Sequence, residues 1–352
     1  MASEHIIKDL VAAVEQQNAS DLHLGENRLP FARVSGLLIP LEKFGTLSRD
    51  DMSKILDDIL SENKKDEFLK NKEVDFSYTT HSIRFRGNAF FQQGLISIAL
   101  RLIPKRIRTL QELHLPSILE TFTRHTQGFF LVVGPVGQGK STTLASMVEL
   151  INQERPEHIL TIEDPIEYQY EPKKAIINQR EIGIDTKDFH TALVSMVRED
   201  INVILLGEMR DPETIAAAVT AAETGHMVFS TLHTNDAAQT ISRITDSFPA
   251  NQQPQIRMQL ASSLSGIFSQ RLVPRIAGGV VPAYELLINN TAVANLIREN
   301  RTHEIPSVIE TGSQMGMIDF NRSLAELVRA GEISIENAYH YSLNPKILEK
   351  LL

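Results

Sequence analysis

A glycine-rich loop between an apolar run and an amphipathic stretch constrains this chain more than any other feature of its sequence. Gly134, Gly139, Lys140 and Ser141 fit G-x-x-x-x-G-K-[ST], the pattern of a phosphate-binding loop. The five apolar residues 129–133 before the loop are typical of a buried parallel strand. After the loop, apolar residues recur at spacings of three and four, which predicts a helix that begins at the loop: Leu144, Met147, Val148 and Ile151.

Such a loop curls its backbone N–H groups inward, and the dipole of the following helix favours a polyphosphate at the same place. Lys140 is expected to reach the β- and γ-phosphates of ATP, and the hydroxyl of Ser141 is expected to bind Mg²⁺. The sequence assigns nucleotide binding to the whole loop: Gly134, Pro135, Val136, Gly137, Gln138, Gly139, Lys140, Ser141 and Thr142.

Beyond the loop, short apolar runs alternate with helical patterns, which predicts an α/β fold with a parallel sheet and helices on both faces. Residues 158–162, 203–206 and 227–232 are the predicted strands. Ligands bind at the carboxyl ends of such strands, so the polar residues that follow each strand are candidates for one crevice with the loop.

Three carboxylates follow the first two of these strands. Glu208 is the candidate catalytic base that takes a proton from, or orients, an attacking water. Glu163 could supply a second polarising carboxylate, and Asp164 could position Mg²⁺ through waters. The alternatives are a surface carboxylate at Glu208 and simple capping of the loop by Glu163 and Asp164. Arg210 is expected to order the loop after Glu208 by an ion pair.

His226 and His233 flank the third strand. A zinc site would need a third ligand at a suitable spacing, and no such ligand is indicated. We therefore expect hydrogen-bonding roles: His233 stands where a γ-phosphate sensor could lie, and His226 is a second candidate for nucleotide contact.

The first hundred residues predict a small α+β domain. One apolar face indicates a helix over residues 6–14, and Ser48 is a good N-cap for a second helix. Two strands are predicted at residues 75–79 and 83–91, with a bulge near Gly87.

Arginines lie on the strands of this domain. Arg84 and Arg86 share a face of the strand over residues 83–91, and Arg101 lies near the end of the next strand. They form either a solvated strand face or a set of guanidinium groups that stabilise phosphate charge on a neighbouring nucleotide site.

A boundary is predicted over residues 104–116, which begin and end with proline and carry Lys105 and Arg106. The predicted organisation is a first domain over residues 1–103, this linker, and an ATPase domain over residues 117–352.

Composition limits the remaining possibilities. The 352 residues carry a net charge of −9, which argues against a nucleic acid backbone as the main partner. The absence of cysteine excludes disulfides and thiolate zinc sites. No signal peptide or long apolar run is evident, so a soluble cytoplasmic protein is expected.

Several ordered motifs resemble the secretion ATPase superfamily, and most closely the type IV pilus retraction ATPases of the PilT and PilU classes. They are GPVGQGKSTT from residue 134, LTIEDPIEY from 160, INQREIGIDT from 177, REDINVILLGEMRD from 198 and AAETGHMVFSTLHTND from 221. SDLHL from residue 20, IRFRGNAF from 83 and NLIREN from 295 extend the resemblance over nearly the whole chain.

This resemblance implies a PAS-like N-terminal domain, a RecA-like P-loop ATPase core with a C-terminal helical region, and a homo-hexameric ring. The family's Walker A segment corresponds to residues 134–141, its Asp box to 159–167, its Walker B segment to 204–208 and its His box to 225–233. Glu208 matches the catalytic glutamate, while Arg84, Arg86 and Arg101 match arginines that reach across from the N-terminal domain.

The implied function is a Mg²⁺-dependent ATPase that drives pilus retraction from the cytoplasmic side of the inner membrane. Its implied partners are a membrane platform protein of the pilus machine and a paralogous retraction ATPase. The zinc module of the assembly ATPases is not expected, because the chain has no cysteine. Ala294 stands where the family usually has an arginine in a motif that matters for retraction. The alternatives are a RecA-like DNA translocase and a ring partner that binds ATP without hydrolysing it.

Overall fold

The structure is a computed structural model that describes residues 6–34, 36–80, 83–104 and 106–352. The chain divides into two compact units, residues 1–105 with 167–169 and residues 106–166 with 170–352. The predicted limits of the domains and of the linker stay predictions, and Lys105 lies outside the described residues.

The first unit is an antiparallel sheet with helices, which confirms the predicted α+β class. The strand order of this six-stranded sheet is β3-β2-β1-β6-β5-β4. Among the described residues its helices and strands are α1 Ile6–Gln16, β1 Asp21–Gly25, β2 Phe31–Val34, β3 Leu37–Pro40, α2 Arg49–Ile59, α3 Glu62–Asn71, β4 Glu73–Thr80, β5 Ile83–Gln92 and β6 Leu95–Leu102.

Helix α2 begins where the sequence predicts, because Ser48 forms a capping box. The backbone N–H of Asp51 donates to the Ser48 hydroxyl at 3.2 Å, and the Ser48 N–H donates to the Asp51 carboxylate at 2.9 Å. Such a cap contributes about 1 kcal/mol to helix stability. Helix α1 also confirms its prediction, with its apolar face buried in the core of this unit.

The predicted bulge near Gly87 is wrong. Gly87 pairs in regular register with Phe76 of β4 and Leu100 of β6. A Cβ atom at Gly87 would lie only 2.3 Å from the ring of Phe76, so glycine is required because the ring covers the strand there. Helix α3 was not predicted, because its sequence ENKKDEFLKN buries only Phe68.

The second unit is built on a seven-stranded sheet in the order β13-β12-β7-β11-β10-β8-β9. Every residue of the central strands β7 and β11 is buried, as expected for a parallel sheet covered on both faces. The strands are β7 Gly128–Val133, β8 His158–Glu163, β9 Ile176–Glu181, β10 Val203–Leu206, β11 Met227–Leu232, β12 Leu264–Pro274 and β13 Val280–Ile288. The four strands predicted around the loop are confirmed.

The sheet is mixed rather than wholly parallel. Strand β12 pairs in parallel with β7, and β13 pairs antiparallel with β12, so the hairpin of these two strands closes one edge of the sheet. The hairpin was not predicted, although Gly278 and Gly279 between the two strands form a turn motif. Strand β9 was missed because its sequence IINQRE is half polar.

Helices cover this sheet and form the C-terminal region. Aspartate or asparagine caps begin several of them, including Asp188, Asp211, Asp236 and Asn290. No helix in the described ranges combines the length and the apolar character that crossing a membrane requires. The helices are α4 Leu119–Thr123, α5 Lys140–Glu154, α6 Phe189–Met196, α7 Pro212–Glu223, α8 Ala237–Asp246, α9 Gln253–Ser263, α10 Thr291–Arg298, α11 Ile305–Thr311, α12 Phe320–Arg329, α13 Ile335–Tyr341 and α14 Pro345–Leu351.

Candidate functional site

One edge of the second sheet gathers most of the predicted site. Strands β7, β8, β10 and β11 run in parallel, so their carboxyl ends meet there. The glycine-rich loop follows β7, Glu163 ends β8, Glu208 lies just after β10, and His233 follows β11. The structure therefore brings these predicted residues to one edge, as the strand pattern indicated.

The loop begins with Gly134, and a side chain at this position would force the neighbouring backbone to move. Gly134 has φ of 143°, and a Cβ atom there would lie 2.4 Å from the carbonyl oxygen of Gln270 on β12. The backbone of the loop therefore lies directly against the neighbouring strand. Gly137 and Gly139 adopt left-handed conformations with φ of 77° and 79°, which turn the chain into helix α5.

Lys140 is the first residue of α5 and is 7% exposed. Its Nζ donates to the carbonyl oxygen of Gly134 at 2.8 Å and to that of Pro135 at 2.9 Å. The same Nζ lies 3.2 Å from Nδ1 of His233. The ammonium group is thus held over the loop, where it can exchange its carbonyl acceptors for phosphate oxygens.

His233 lies between this lysine and the candidate catalytic glutamate. Its Nε2 is 3.5 Å from Oε2 of Glu208. An ammonium group can only donate, so Nδ1 must accept from Lys140, and the proton of the neutral ring is then on Nε2, facing the carboxylate. One imidazole ring therefore links Lys140 to Glu208.

The loop after Glu208 is ordered by the ion pair that the sequence predicted. Arg210 pairs with Oε1 of Glu208, which leaves Oε2 towards His233. Asp211 accepts from the backbone N–H of Thr214 at 2.8 Å and caps helix α7. The side chain of Glu208 is 18% exposed, so it is partly shielded from water yet open to a ligand.

Glu163 and Asp164 differ in their surroundings. Glu163 is buried and accepts a hydrogen bond from the Thr161 hydroxyl at 2.7 Å and one from Gln179 of β9 at 3.3 Å. Asp164 is exposed and precedes a cis peptide bond to Pro165. Within the described ranges, no group of three or more histidine, cysteine, aspartate or glutamate side chains could hold a metal ion.

Sequence reasoning missed Gln270 of β12, which supports the loop from the side. Its Nε2 donates to the carbonyl oxygen of Gln138 at 2.6 Å, and its Oε1 accepts from the Thr143 hydroxyl at 2.7 Å. The N–H of Leu272 donates to the Gln138 side chain at 2.7 Å. No motif marks Gln270, because it approaches the loop only through the tertiary structure.

A cavity of about 350 Å³ adjoins the loop. Its lining includes Gly139, Thr142 and Thr143 from the loop and helix α5, together with Arg108, His114 and Arg275. Its position beside the end of a phosphate-binding loop, together with its size, suits the sugar and base of a nucleotide.

His226 is not brought to the loop of its own chain. It immediately precedes β11, at the opposite edge of the sheet from His233, and its carbonyl oxygen accepts from the N–H of Gly128. Its Nδ1 lies 3.0 Å from the carbonyl oxygen of Ala221. The physical reason is that His226 precedes β11, whereas the loop lies where the parallel strands end.

The arginines of the first unit share one face of its sheet. Arg84 and Arg86 alternate with buried residues of β5, and Arg86 pairs in register with Arg101 of β6. Arg101 donates to Asp21 at 2.9 Å. Burial raises the pKa of Asp21, but hydrogen bonds from Ser20 and Arg101 outweigh it and leave the pKa below its usual value.

These features define a P-loop ATPase. The site combines a loop lysine, a carboxylate after a buried strand and a histidine after the next strand, and all three lie at one edge of a RecA-like sheet. The chain belongs to the family described as type II/IV secretion system protein, whose model matches residues 69–304.

Relatives of known name agree with this class. The type IV pilus retraction ATPase PilT of Pseudomonas aeruginosa is 43% identical over 333 residues, which cover 94% of this chain and 96% of that protein. The type IV pilus ATPase PilU of the same organism is 37% identical over 331 residues, covering 94% of this chain and 86% of that protein. A crystal structure of the pilus retraction motor PilT with bound ADP is 46% identical, covers 99% of both chains and has a TM-score of 0.89.

Proposed function

We propose that this chain is the ATP-hydrolysing subunit of a homo-hexameric ring that drives type IV pilus retraction, the disassembly of pilin that underlies twitching motility. The observation that carries the proposal is His233 lying between Lys140 and Glu208. The assignment to pilus retraction rests on the relatives, because the chain resembles a retraction ATPase over almost its whole length.

ATP would bind through the loop and the adjoining cavity. Lys140 now donates to two carbonyl groups of its own loop. The β- and γ-phosphates are stronger, charged acceptors, so Lys140 would donate to them instead, worth about 1.5–3 kcal/mol for each charged hydrogen bond. The nucleoside would occupy the cavity between Thr142 and Arg275.

Hydrolysis would use Glu208 as the base. Its carboxylate takes a proton from a water molecule whose oxygen attacks the γ-phosphorus, and the bond to the β-phosphate oxygen breaks to leave ADP and phosphate. Arg210 holds one carboxylate oxygen, so the other faces His233 and the reaction site. His233 would sense the γ-phosphate, because its ring contacts Lys140. Glu163, at the end of β8, would act as a second polarising carboxylate.

Mg²⁺ fits this site, because P-loop sites bind the ion through one hydroxyl, phosphate oxygens and waters rather than through a cluster of carboxylates. Ser141 follows Lys140 at the start of α5 and would hold the ion, with Asp164 acting through waters. When bound, the ion would neutralise charge on the phosphates.

Charge that develops on the transferred phosphoryl group still needs a donor, and we assign that role to Arg84 and Arg86 of a neighbouring subunit, with Arg101 beside them. An arginine supplied across a subunit boundary would link closure of one site to a change in packing of the ring. Hydrolysis would then become motion between domains, whose limits we place at residues 1–103 and 117–352.

The ring would work on the cytoplasmic face of the inner membrane, bound to the platform protein of the pilus machine. A second retraction ATPase could share the machine, as the presence of both PilT and PilU in one organism suggests. Ala294 in helix α10 replaces the arginine of the family motif, so contact with the machine would rest on Arg298 and its neighbours.

The decisive experiment measures phosphate release from ATP and particle mass on the same purified sample, with Glu208→Gln as the matched inactive control. Turnover by a hexamer, lost in the control, is expected; a hexamer that releases no phosphate would leave the non-hydrolysing ring partner as the better assignment. The role in pilus retraction is tested by expressing the chain in Pseudomonas aeruginosa cells that lack PilT, where it should restore twitching. A salt-dependent mobility shift with duplex DNA would instead favour the translocase.

A further inference from the structure

The segment that carries His233 is held by the hairpin of β12 and β13. The hydroxyl of Ser269 on β12 donates to the carbonyl oxygen of Asn235 at 2.7 Å. Oε1 of Glu285 on β13 accepts from the N–H of Ala237 at 2.8 Å. These contacts lie two and four residues beyond His233, so they fix the chain on which the imidazole is carried.

Both contacts come from the same face of the hairpin. Ser269 and Glu285 are register partners, so their side chains stand next to each other on one face. Both residues are buried, at 1% and 9% exposed. Glu285 also satisfies a backbone N–H at the start of helix α8, where a helix has no acceptor of its own.

The opposite face of the same strand holds the phosphate loop. Gln270 follows Ser269 and bonds to Gln138 and Thr143, while Ser269 itself pairs in register with Val133, the last residue before the loop. Successive residues of a strand point to opposite faces, so one strand contacts both segments that converge on Lys140. The pairing of β11 with β7 brings the two segments together, and β12 and β13 contact both of them.

We propose that Ser269 and Glu285 are positioning residues that keep His233 aligned between Lys140 and Glu208. This inference rests on the proposed ATPase function. Removing either contact lets the His233 segment move while the loop keeps its own support from Gln270. Turnover then falls, and the affinity for ATP is retained.

The first test is Ser269→Ala, which removes only the hydroxyl. We expect kcat for ATP hydrolysis to fall at least fivefold with KM changed less than twofold. Ser263→Ala is the matched control: Ser263 is also buried, at 6% exposed, and donates to a backbone carbonyl at 2.8 Å, but its bond lies within helix α9. Gln270→Met, on the opposite face, should instead raise KM.

The second test asks whether Ser269 acts through His233. If it does, adding Ser269→Ala to His233→Ala should lower kcat no further, whereas a general loss of stability would add to the first defect. Glu285→Gln keeps the acceptor for Ala237 and should retain kcat, while Glu285→Leu should lower it. The Glu285 pair supplies the same comparison if Ser269→Ala does not fold, as judged by circular dichroism.

The outcomes separate this inference from the function on which it rests. A wild-type protein without ATP hydrolysis would overturn both. Hydrolysis that falls in His233→Ala but persists in Ser269→Ala and Glu285→Leu would overturn the positioning role alone. Additive losses in the double variant, or an unchanged kcat in His233→Ala, would do the same.

Discussion

Glu285 gives the most quantitative prediction, because burial disfavours the charged form of its carboxyl group and shifts its pKa far from the usual value. Burial is the largest cause that raises its pKa, Asp236 and Asp319 raise it as well, and the N–H of Ala237 lowers it; together they leave the pKa at about 7. The folded state therefore binds a proton that the unfolded chain, with a pKa near 4.5, has already released.

The sign follows from proton binding. Below pH 4.5 the carboxyl group is protonated in both the folded and the unfolded state. Between pH 4.5 and about 7 only the folded state keeps the proton, so the free energy of unfolding falls as pH rises. Above pH 7 this loss of stability is constant. The gap between about 7 and 4.5, at about 1.4 kcal/mol per pH unit, amounts to roughly 3 kcal/mol. Glu285→Gln mimics the neutral acid and keeps the acceptor, so it should be more stable than wild type by this amount above pH 7.

Urea unfolding at pH 5 to 8.5 measures the difference, followed by circular dichroism because the chain has no tryptophan. The stabilisation by Glu285→Gln should grow with pH up to about 7 and then level off. A difference that does not change with pH would refute the reasoning.

Glu149→Gln is a control of opposite sign. Glu149 is also 9% exposed, yet its pKa is lowered: burial raises it, but hydrogen bonds from Gln153, Lys173 and Asn152 prevail. Its contribution is present above pH 4.5 and is lost as pH falls through the lower folded pKa. The glutamine variant should therefore be destabilised at neutral pH.

Three further predictions concern catalysis. Lys140→Ala should weaken ATP binding at least tenfold, because it deletes the cation over the loop; titration with a fluorescent ATP analogue measures this, and unchanged affinity would contradict it. Glu208→Gln should bind ATP but release no phosphate, since an amide cannot accept the proton; normal turnover would transfer the role of base to Glu163. Arg84→Ala or Arg86→Ala should lower turnover more than tenfold, about 1.4 kcal/mol or more, and mixing Arg86→Ala with Lys140→Ala subunits should restore part of it. Rings proven to be mixed that stay inactive would argue against arginines supplied in trans.

Local sequence was enough to predict the elements that carry the site. The loop and helix α5 are contiguous in the chain, and the apolar residues of α5 repeat with the period of a helix. Strands β8, β10 and β11 are short apolar runs between polar residues, so their limits could be read directly. The rule that ligands meet the carboxyl ends of parallel strands then grouped Glu163, Glu208 and His233.

The misses arose where long-range packing overrides local pattern. Gly87 suggested a bulge because isolated glycines often mark one, yet the ring of Phe76 lies over it from the neighbouring strand. Polar strand β9 gave no periodic signal.

The sequence by itself determined the phosphate loop, the strands β7, β8, β10 and β11 and helix α5 around it, and the side chains available for its chemistry. Only the tertiary structure decided which of them touch: that Nδ1 of His233 lies 3.2 Å from Lys140, that Gly134 lies against Gln270, and that Glu285 is buried below the start of α8. The physical reason is that β11, β12 and β13 are distant in sequence from the loop but lie in the same sheet as β7. Contacts across such a separation depend on how whole elements pack, which no local pattern of residues encodes.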